Sequence, residues 1–127
     1  MPGEPVIVVD DNPINVKLLE IVLGDEGYDV RAARDAEEAL ALLQTFRPRL
    51  IMMDVRLPGM DGLELTRRLK ADAATRDIII IAVTSCALHG DDQKALAAGC
   101  DDYVTKPIST VSLPGLVARH LAAGDLT

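Results

Sequence analysis

The sequence has very few aromatic residues: it contains no tryptophan, one phenylalanine and two tyrosines among its 127 residues. Because 49% of the residues are nevertheless hydrophobic, we expect a core packed mainly from aliphatic side chains. The scarcity of rings also argues against a site in which aromatic side chains sandwich a nucleobase or a flavin.

Positive charge is scarce as well, since 13 Lys and Arg are set against 20 Asp and Glu, for a formal net charge of −7. Nucleic-acid binding depends on clustered basic residues, so it is disfavoured. No apolar run reaches the ~18–20 residues of a membrane span, and the first residues, MPGEP, lack the basic and then apolar pattern of a signal peptide. We therefore expect a cytoplasmic protein that binds neither nucleic acid nor membrane.

Cysteine and histidine offer no recognisable site. Cys86 and Cys100 have neither metal-ligand spacing nor the numbers for a disulfide framework, so we expect two small, mostly buried thiols in a reducing compartment. His89 and His120 have no partner at ligand spacing, and we expect both to be surface side chains without a role.

Short apolar segments alternate five times with amphipathic ones. The expected strands cover residues 6–9, 28–33, 50–53, 78–83 and 102–105. The expected helices cover residues 16–23, 35–43, 63–70, 91–98 and about 112–122. Gly27 and Gly99 are expected to terminate the first and the fourth, and Asp35 with Glu38 to form a capping pair at the start of the second. This alternation predicts an α/β fold with an open, doubly wound, five-stranded parallel sheet and five helices.

Polar residues stand at the ends of four predicted strands. Asp10 and Asp11 follow the first strand, Asp54 the third, Thr84 the fourth and Lys106 the fifth. Right-handed crossovers bring the carboxyl ends of parallel strands to one edge, where ligands bind in such sheets. Each residue alone could be a helix cap, a turn residue or a solvated lysine, but the five together favour a functional site.

Three carboxylates at one edge would repel one another unless a cation joined them. Oxygen ligands of this kind suit Mg2+. An acid beside a metal, a lysine and a hydroxyl group is the set required for covalent phosphoryl transfer to a carboxylate. Asp54 is the best candidate nucleophile because it ends the central strand, and the adjacent Asp10 and Asp11 are the candidate metal ligands.

The motifs Asp10-Asp11-Asn12, MDVRLPGMDG at residues 53–62, Thr84 and Lys106-Pro107 resemble those of the CheY-like receiver domain of two-component response regulators. The resemblance covers about residues 5–123 and implies that residues 1–127 form a single receiver domain with no output domain. DNPINVKLL at residues 11–19 and KPIS at residues 106–109 resemble stand-alone regulators of the DivK-like group and receivers of hybrid kinases. The stand-alone form is favoured, and an excised hybrid-kinase receiver remains an alternative.

The family resemblance implies a flavodoxin-like strand order 2-1-3-4-5 and phosphorylation of Asp54 by a histidine kinase or a histidine phosphotransfer protein. It also implies that Asp11, Asp54 and the backbone carbonyl of Arg56 bind Mg2+, with Asp10 acting largely through water. Lys106 would pair with the phosphoryl group.

The resemblance further implies a conformational switch. Thr84 would move toward the phosphoryl group, and the ring of Tyr103 would change between outward and inward positions. The signal would reach a protein partner through the fourth helix, the fifth strand and the fifth helix, and the peptide bond between Lys106 and Pro107 would be cis.

Three residues stand at positions where the resemblance to the family bears on phosphoryl access or lifetime. Ser85 stands where alanine is frequent, so access to the phosphoryl group could differ. Arg56 and Cys86 occupy positions that the family associates with the rate of self-dephosphorylation, and Arg56 is expected either to tune the phosphoryl lifetime or simply to face solvent.

Three other functions compete with a phosphoacceptor switch. A haloacid-dehalogenase-like phosphatase would need an acid two residues after the nucleophile, where this chain has Arg56. A flavodoxin-like cofactor module would need a glycine-rich phosphate loop after the first strand, where this chain has Asp-Asp-Asn-Pro. A pseudo-receiver that acts only as a scaffold would not need all five pocket residues.

Overall fold

A computed structural model describes residues 3–57, 59, 61–84, 91–106 and 108–125. Within these residues, five strands alternate with five helices, as predicted. In chain order they are β1 (Pro5–Val9), α1 (Pro13–Asp25), β2 (Asp29–Ala33), α2 (Ala36–Leu42), β3 (Leu50–Asp54), α3 (Gly62–Ala71), β4 (Ile79–Thr84), α4 (Asp91–Ala98), β5 (Asp102–Thr105) and α5 (Leu113–Asp125).

The strands form one parallel sheet in the order β2-β1-β3-β4-β5, which confirms the predicted order. The runs from Val6 to Val9 and from Leu50 to Asp54 are buried throughout, as expected for strands covered on both faces. In contrast, β2 lies at an edge of the sheet, and four of its five residues are partly or fully exposed.

Helices cover the two faces of the sheet, and alternate residues of each strand point to opposite faces. On one face Ile7, Ile51 and Met53 pack in a cluster with buried residues of α2, α3 and α4. On the other face Val8 and Met52 pack in a second cluster with buried residues of α1 and α5. This doubly wound arrangement leaves the carboxyl ends of the strands uncovered by either helical layer.

Side-chain caps fix where three helices begin. Asn12 accepts a hydrogen bond from the amide of Ile14, Asp35 from that of Glu38 and Asp61 from that of Leu63. The cap at Asp35 was expected from the sequence. Most element boundaries fall within one to three residues of those expected; α1 begins at Pro13 and α5 extends to Asp125.

Within the described part of the chain, no helix combines the length and the apolar character that crossing a membrane requires. Cys100 is a buried free thiol, as expected, and burial raises its pKa. His120 is not the surface side chain that we expected, since it is half-buried and its Nε2 lies 2.8 Å from Oδ2 of Asp102. Cys86 and His89 lie outside the described residues.

Candidate functional site

Asp54 is the last residue of the central strand β3, and only 4% of its surface is exposed. Its Oδ1 accepts a hydrogen bond of 3.0 Å from the amide of Arg56. Its Oδ2 accepts one of 3.2 Å from Nζ of Lys106. The carboxylate is therefore held from two sides, by the loop that follows β3 and by a lysine that follows β5.

Asp10 and Asp11 complete an acidic cluster with Asp54. Carboxylate oxygens of the three residues lie within 4.8 Å of one another. Asp10 is buried, and its Oδ1 accepts a hydrogen bond of 2.8 Å from the amide of Asn12, whereas Asp11 is exposed. The three acids are 44 residues apart at most in sequence but meet at one edge because β1 and β3 are neighbouring parallel strands.

Burial raises the pKa of the Asp54 carboxyl group. The hydrogen bond from the Arg56 amide opposes this effect, the negative charge of Asp10 adds to it, and Lys106 opposes it. Since the net pKa is raised, the neighbouring cation and amide do not fully offset burial and repulsion. A further positive charge would favour the ionised form.

The cluster fits a magnesium ion. Its donors are all oxygen atoms, as Mg2+ prefers. Asp11 is exposed, so solvent can reach the cluster on that side. Oδ2 of Asp10 is buried, lies 4.0 Å from Nζ of Lys106 and has no hydrogen-bond partner among the described residues. A buried polar atom without a partner is costly, and an ion or its bound water would satisfy this one.

Thr84 is buried at the end of β4, directly beside Lys106 in the backbone hydrogen-bond pattern. The amide of Lys106 donates to the carbonyl oxygen of Thr84 over 2.7 Å. The Oγ1 atom of Thr84 is buried and lacks a hydrogen-bond partner within the described ranges. Its hydroxyl group can donate to an oxygen atom that arrives at this edge.

The remaining predicted site residues are placed as follows. The side chain of Arg56 is exposed, so its contact with Asp54 is made by the backbone amide. Tyr103 is half-buried in β5 and packs against the cluster that also contains residues of α3 and α4. Pro107, and with it the predicted cis peptide bond, lies outside the described residues, as does Ser85.

Two features of this region were not anticipated from the sequence. The amide of Arg56 binds Asp54, a backbone contact that no side-chain pattern can reveal. Gly62, the first residue of α3, packs directly on the backbone of Asp54 and Val55. The Asp61-Gly62 pair in the sequence was a usable signal, since glycine often marks a close backbone approach.

The sequence is similar to that of a known protein family. The family model described as the response regulator receiver domain matches residues 6–118. The polar-differentiation response regulator DivK of Brucella anthropi is 43% identical over 104 residues, which cover 82% of this chain and 85% of DivK.

Solved structures share the fold over almost the whole chain. The signal receiver domain of a signal transduction histidine kinase from Syntrophus aciditrophicus has a TM-score of 0.88 and 35% identity, covering 95% of this chain and 92% of that one. The receiver domain of a sensor histidine kinase from Pseudomonas aeruginosa PAO1 has a TM-score of 0.84 and 37% identity, covering 92% and 96%. That domain has a magnesium ion coordinated in its active-site cleft.

Proposed function

The chain belongs to the response regulator receiver domain family, and we propose that Asp54 is the residue that accepts the phosphoryl group in it. The family acts as a signalling switch and not as a conventional enzyme. The observation that carries the proposal is the contact of the Asp54 carboxylate with Lys106 on one oxygen and the Arg56 amide on the other, beside two further acids.

The proposed reaction is a transfer between two residues. A carboxylate oxygen of Asp54 attacks phosphorus, the bond from phosphorus to a histidine nitrogen of the donor breaks, and the imidazole leaves with a proton from solvent. The product is an acyl phosphate on Asp54. Lys106 balances charge on the transferred group, and the hydroxyl of Thr84 donates a hydrogen bond to one of its oxygens.

Magnesium is part of the proposal. Asp10, Asp11, Asp54 and the backbone carbonyl of Arg56 are the groups that would hold it, with Asp10 acting largely through water. When bound, the ion supplies positive charge to the phosphoryl oxygens. The same set of residues can assist both the phosphorylation and the later hydrolysis of the acyl phosphate.

The proposed donor is a histidine kinase or a histidine phosphotransfer protein. Ile14, three residues after Asp11 at the start of α1, is 77% exposed and is a candidate contact for such a donor. The proposed output surface comprises α4, β5 and α5, with Thr84 and Tyr103 as switch residues.

A cytoplasmic location belongs to the proposal too, and its support is the absence of a disulfide pattern in the sequence.

We propose that residues 1–127 act as one receiver unit of the stand-alone kind. The similarity to DivK over 85% of its length supports this form. A receiver of a hybrid kinase is the second candidate, because two of the similar structures are receiver domains of histidine kinases.

The test uses a small phosphodonor such as phosphoramidate and the intact mass of the protein. With Mg2+ present we expect a gain of about 80 Da that is absent with a chelator and in Asp54→Asn. An unmodified wild-type protein, or a gain that survives Asp54→Asn, would contradict the proposal. Steady release of phosphate from many small phosphate esters would instead favour a phosphatase.

A further inference from the structure

Gly62 makes a backbone contact that no other residue could make without displacing its neighbours. A Cβ atom added at this position would collide with the carbonyl oxygen of Asp54, and it would lie 3.0 Å from the carbonyl carbon of Asp54 and 3.1 Å from Cα of Val55. All three are backbone atoms, so no side chain can rotate away to relieve the contact. Two other helical glycines, Gly24 and Gly115, have nothing within 4 Å of the same added atom.

Hydrogen bonds and packing hold both sides of this contact, but not equally. The amide of Val55 donates to the carbonyl of Val83 in β4, and the amide of Gly62 donates to the carbonyl of Val55. On the helix side, Thr66 Oγ1 donates to the carbonyl of Gly62 over 2.9 Å, and Leu63, Leu65 and Leu69 are buried in the core. Withdrawal of α3 would open that core, so the more yielding part is the segment that follows β3.

That segment carries the proposed chemistry. Residues 54–56 contain the Asp54 carboxylate, the Arg56 amide that holds it and the Arg56 carbonyl that we propose as a metal ligand. A displacement there would move these groups together relative to Lys106 and Asp10. Because glycine has no side chain, α3 can pack closely on the end of β3. This close packing in turn sets the position of the Asp54 carboxylate.

We propose that Gly62 is a positioning residue for the site, acting through the backbone of residues 54–56. This inference rests on the proposed function, since it assigns a geometric role within the Mg2+ and phosphoryl site. The competing explanation is that glycine is required only for tight packing of α3. Packing alone would lower the stability of the fold but would leave the Mg2+ affinity of the folded molecules unchanged.

The experiment compares three variants with the wild type. Gly62→Ala introduces the collision. Gly24→Ala makes the same chemical change in α1, where there is open space. Leu69→Ala removes a buried side chain and so destabilises α3. It does so without adding an atom at the contact of Gly62 with Asp54.

Mg2+ binding is measured by calorimetry at a temperature at which circular dichroism shows each variant folded. Thermal unfolding is recorded in parallel. We expect Gly62→Ala to bind Mg2+ about tenfold to a hundredfold more weakly, as is typical when groups that orient metal ligands are disturbed. Leu69→Ala should unfold at a lower temperature yet bind Mg2+ like the wild type. Gly24→Ala should bind Mg2+ like the wild type and unfold at the same or a higher temperature, because alanine is favoured over glycine within a helix.

The outcomes separate this inference from the proposed function. If the wild type fails to bind Mg2+, the proposed function itself is contradicted. If the wild type binds Mg2+ and Gly62→Ala binds it equally well, only the role of Gly62 is overturned. If Gly62→Ala leaves too little folded protein to titrate, the same variant is measured in the presence of a stabilising osmolyte, and equal affinity there would also overturn the role.

Discussion

Two buried threonine hydroxyls differ in what they bind, and the difference separates a structural role from a functional one. Thr66 Oγ1 donates to the carbonyl of Gly62 and receives a weak contact from the Cys100 thiol over 3.8 Å. Thr84 Oγ1 is equally buried but has no partner in the described part of the structure. A hydroxyl that contributes nothing to the fold is available for a ligand.

We expect Thr66→Val to lower the free energy of unfolding by about 1 kcal/mol, because a buried hydrogen bond is lost. Thr84→Val should change it by less than about 0.5 kcal/mol, or raise it, because no bond is lost. Urea unfolding of both variants measures this contrast.

Thr84→Val should also interrupt the proposed switch. After treatment with phosphodonor and Mg2+, the nuclear magnetic resonance signals of the Tyr103 ring should shift in the wild type and not in Thr84→Val. Equal shifts would remove Thr84 from the switch.

Asp102 is a second residue whose contacts lead to a testable prediction, here on the pH dependence of stability. Its Oδ2 lies 2.8 Å from Nε2 of His120 and 3.7 Å from Nη2 of Arg119, and its Oδ1 accepts from the Tyr103 amide. Burial raises the pKa of the Asp102 carboxyl, but the hydrogen bonds from His120 and Tyr103 and the charges of His120 and Arg119 outweigh it. The net pKa lies below the usual 3.8.

A lowered pKa means that the folded state binds the Asp102 proton less tightly than the unfolded state does. The stabilisation is therefore present above the ordinary pKa and is lost as the pH falls through the folded value. We expect wild type to exceed Asp102→Asn in free energy of unfolding by about 1 kcal/mol at pH 5, and the gap to close toward pH 3. Urea titrations at both pH values test this, with Asp25→Asn in α1 as control; a gap independent of pH would contradict the assignment.

At the scale of secondary-structure elements, α1 presents two exposed isoleucines at different distances along the helix from the acidic cluster. Ile14 lies in its first turn, two residues after Asn12, and Ile21 lies two turns further on and is 52% exposed. Both substitutions to alanine remove the same three carbon atoms from an exposed side chain. Ile21 is therefore a control of the same chemistry at a greater distance along the helix.

We expect Ile14→Ala to slow phosphoryl transfer from a phosphorylated histidine phosphotransfer protein by about tenfold, as for loss of an apolar anchor at an interface. Ile21→Ala should have a smaller effect, and phosphoramidate should phosphorylate both variants at the wild-type rate. Rapid-quench measurements with the two donors test this. An equal loss with both donors would show that Ile14 affects the site itself and not the docking of a protein.

The elements themselves were largely predictable because their signals are local. Buried parallel strands such as β3 read as continuous apolar runs, and Asp35 three residues before Glu38 marks the start of α2. The convergence of Asp10, Asp54 and Lys106 followed from topology, since parallel strands end at one edge.

What could not be predicted depends on distances between elements. The contact of Gly62 with Asp54 requires knowledge of how closely α3 packs on β3. The contact between Asp102 and His120 joins β5 to α5 across 18 residues, and neither residue type indicates a partner without the fold. The prediction that His120 is a surface side chain is wrong for this reason.

At the scale of the whole molecule, Mg2+ should act as a stabilising ligand, because the proposed site exists in the folded chain and has no counterpart in the unfolded one. At a free concentration a hundredfold above the dissociation constant, the gain is about 2.7 kcal/mol. We expect the unfolding temperature of the wild type to rise with Mg2+ by several degrees.

Asp11→Ala should lose most of this Mg2+-dependent rise, because it removes the exposed member of the acidic cluster. Without Mg2+ its stability should match or exceed that of the wild type, since one repelling charge is gone. Asp25→Ala, which removes an exposed acid at the other end of α1, is the matched control and should keep the full rise. Thermal unfolding across a Mg2+ series measures all three, and an undiminished rise in Asp11→Ala would place the ion elsewhere.

The most direct test of the phosphoacceptor assignment identifies the modified atom. After phosphorylation with phosphoramidate and Mg2+, borohydride reduction converts an aspartyl phosphate to homoserine, and fragmentation mass spectrometry of the digested protein locates it. Homoserine should appear at position 54 in the wild type, with Asp10, Asp11 and Asp61 unchanged. Homoserine at any of those three positions, or none at position 54 in protein that carries the added mass, would contradict the account.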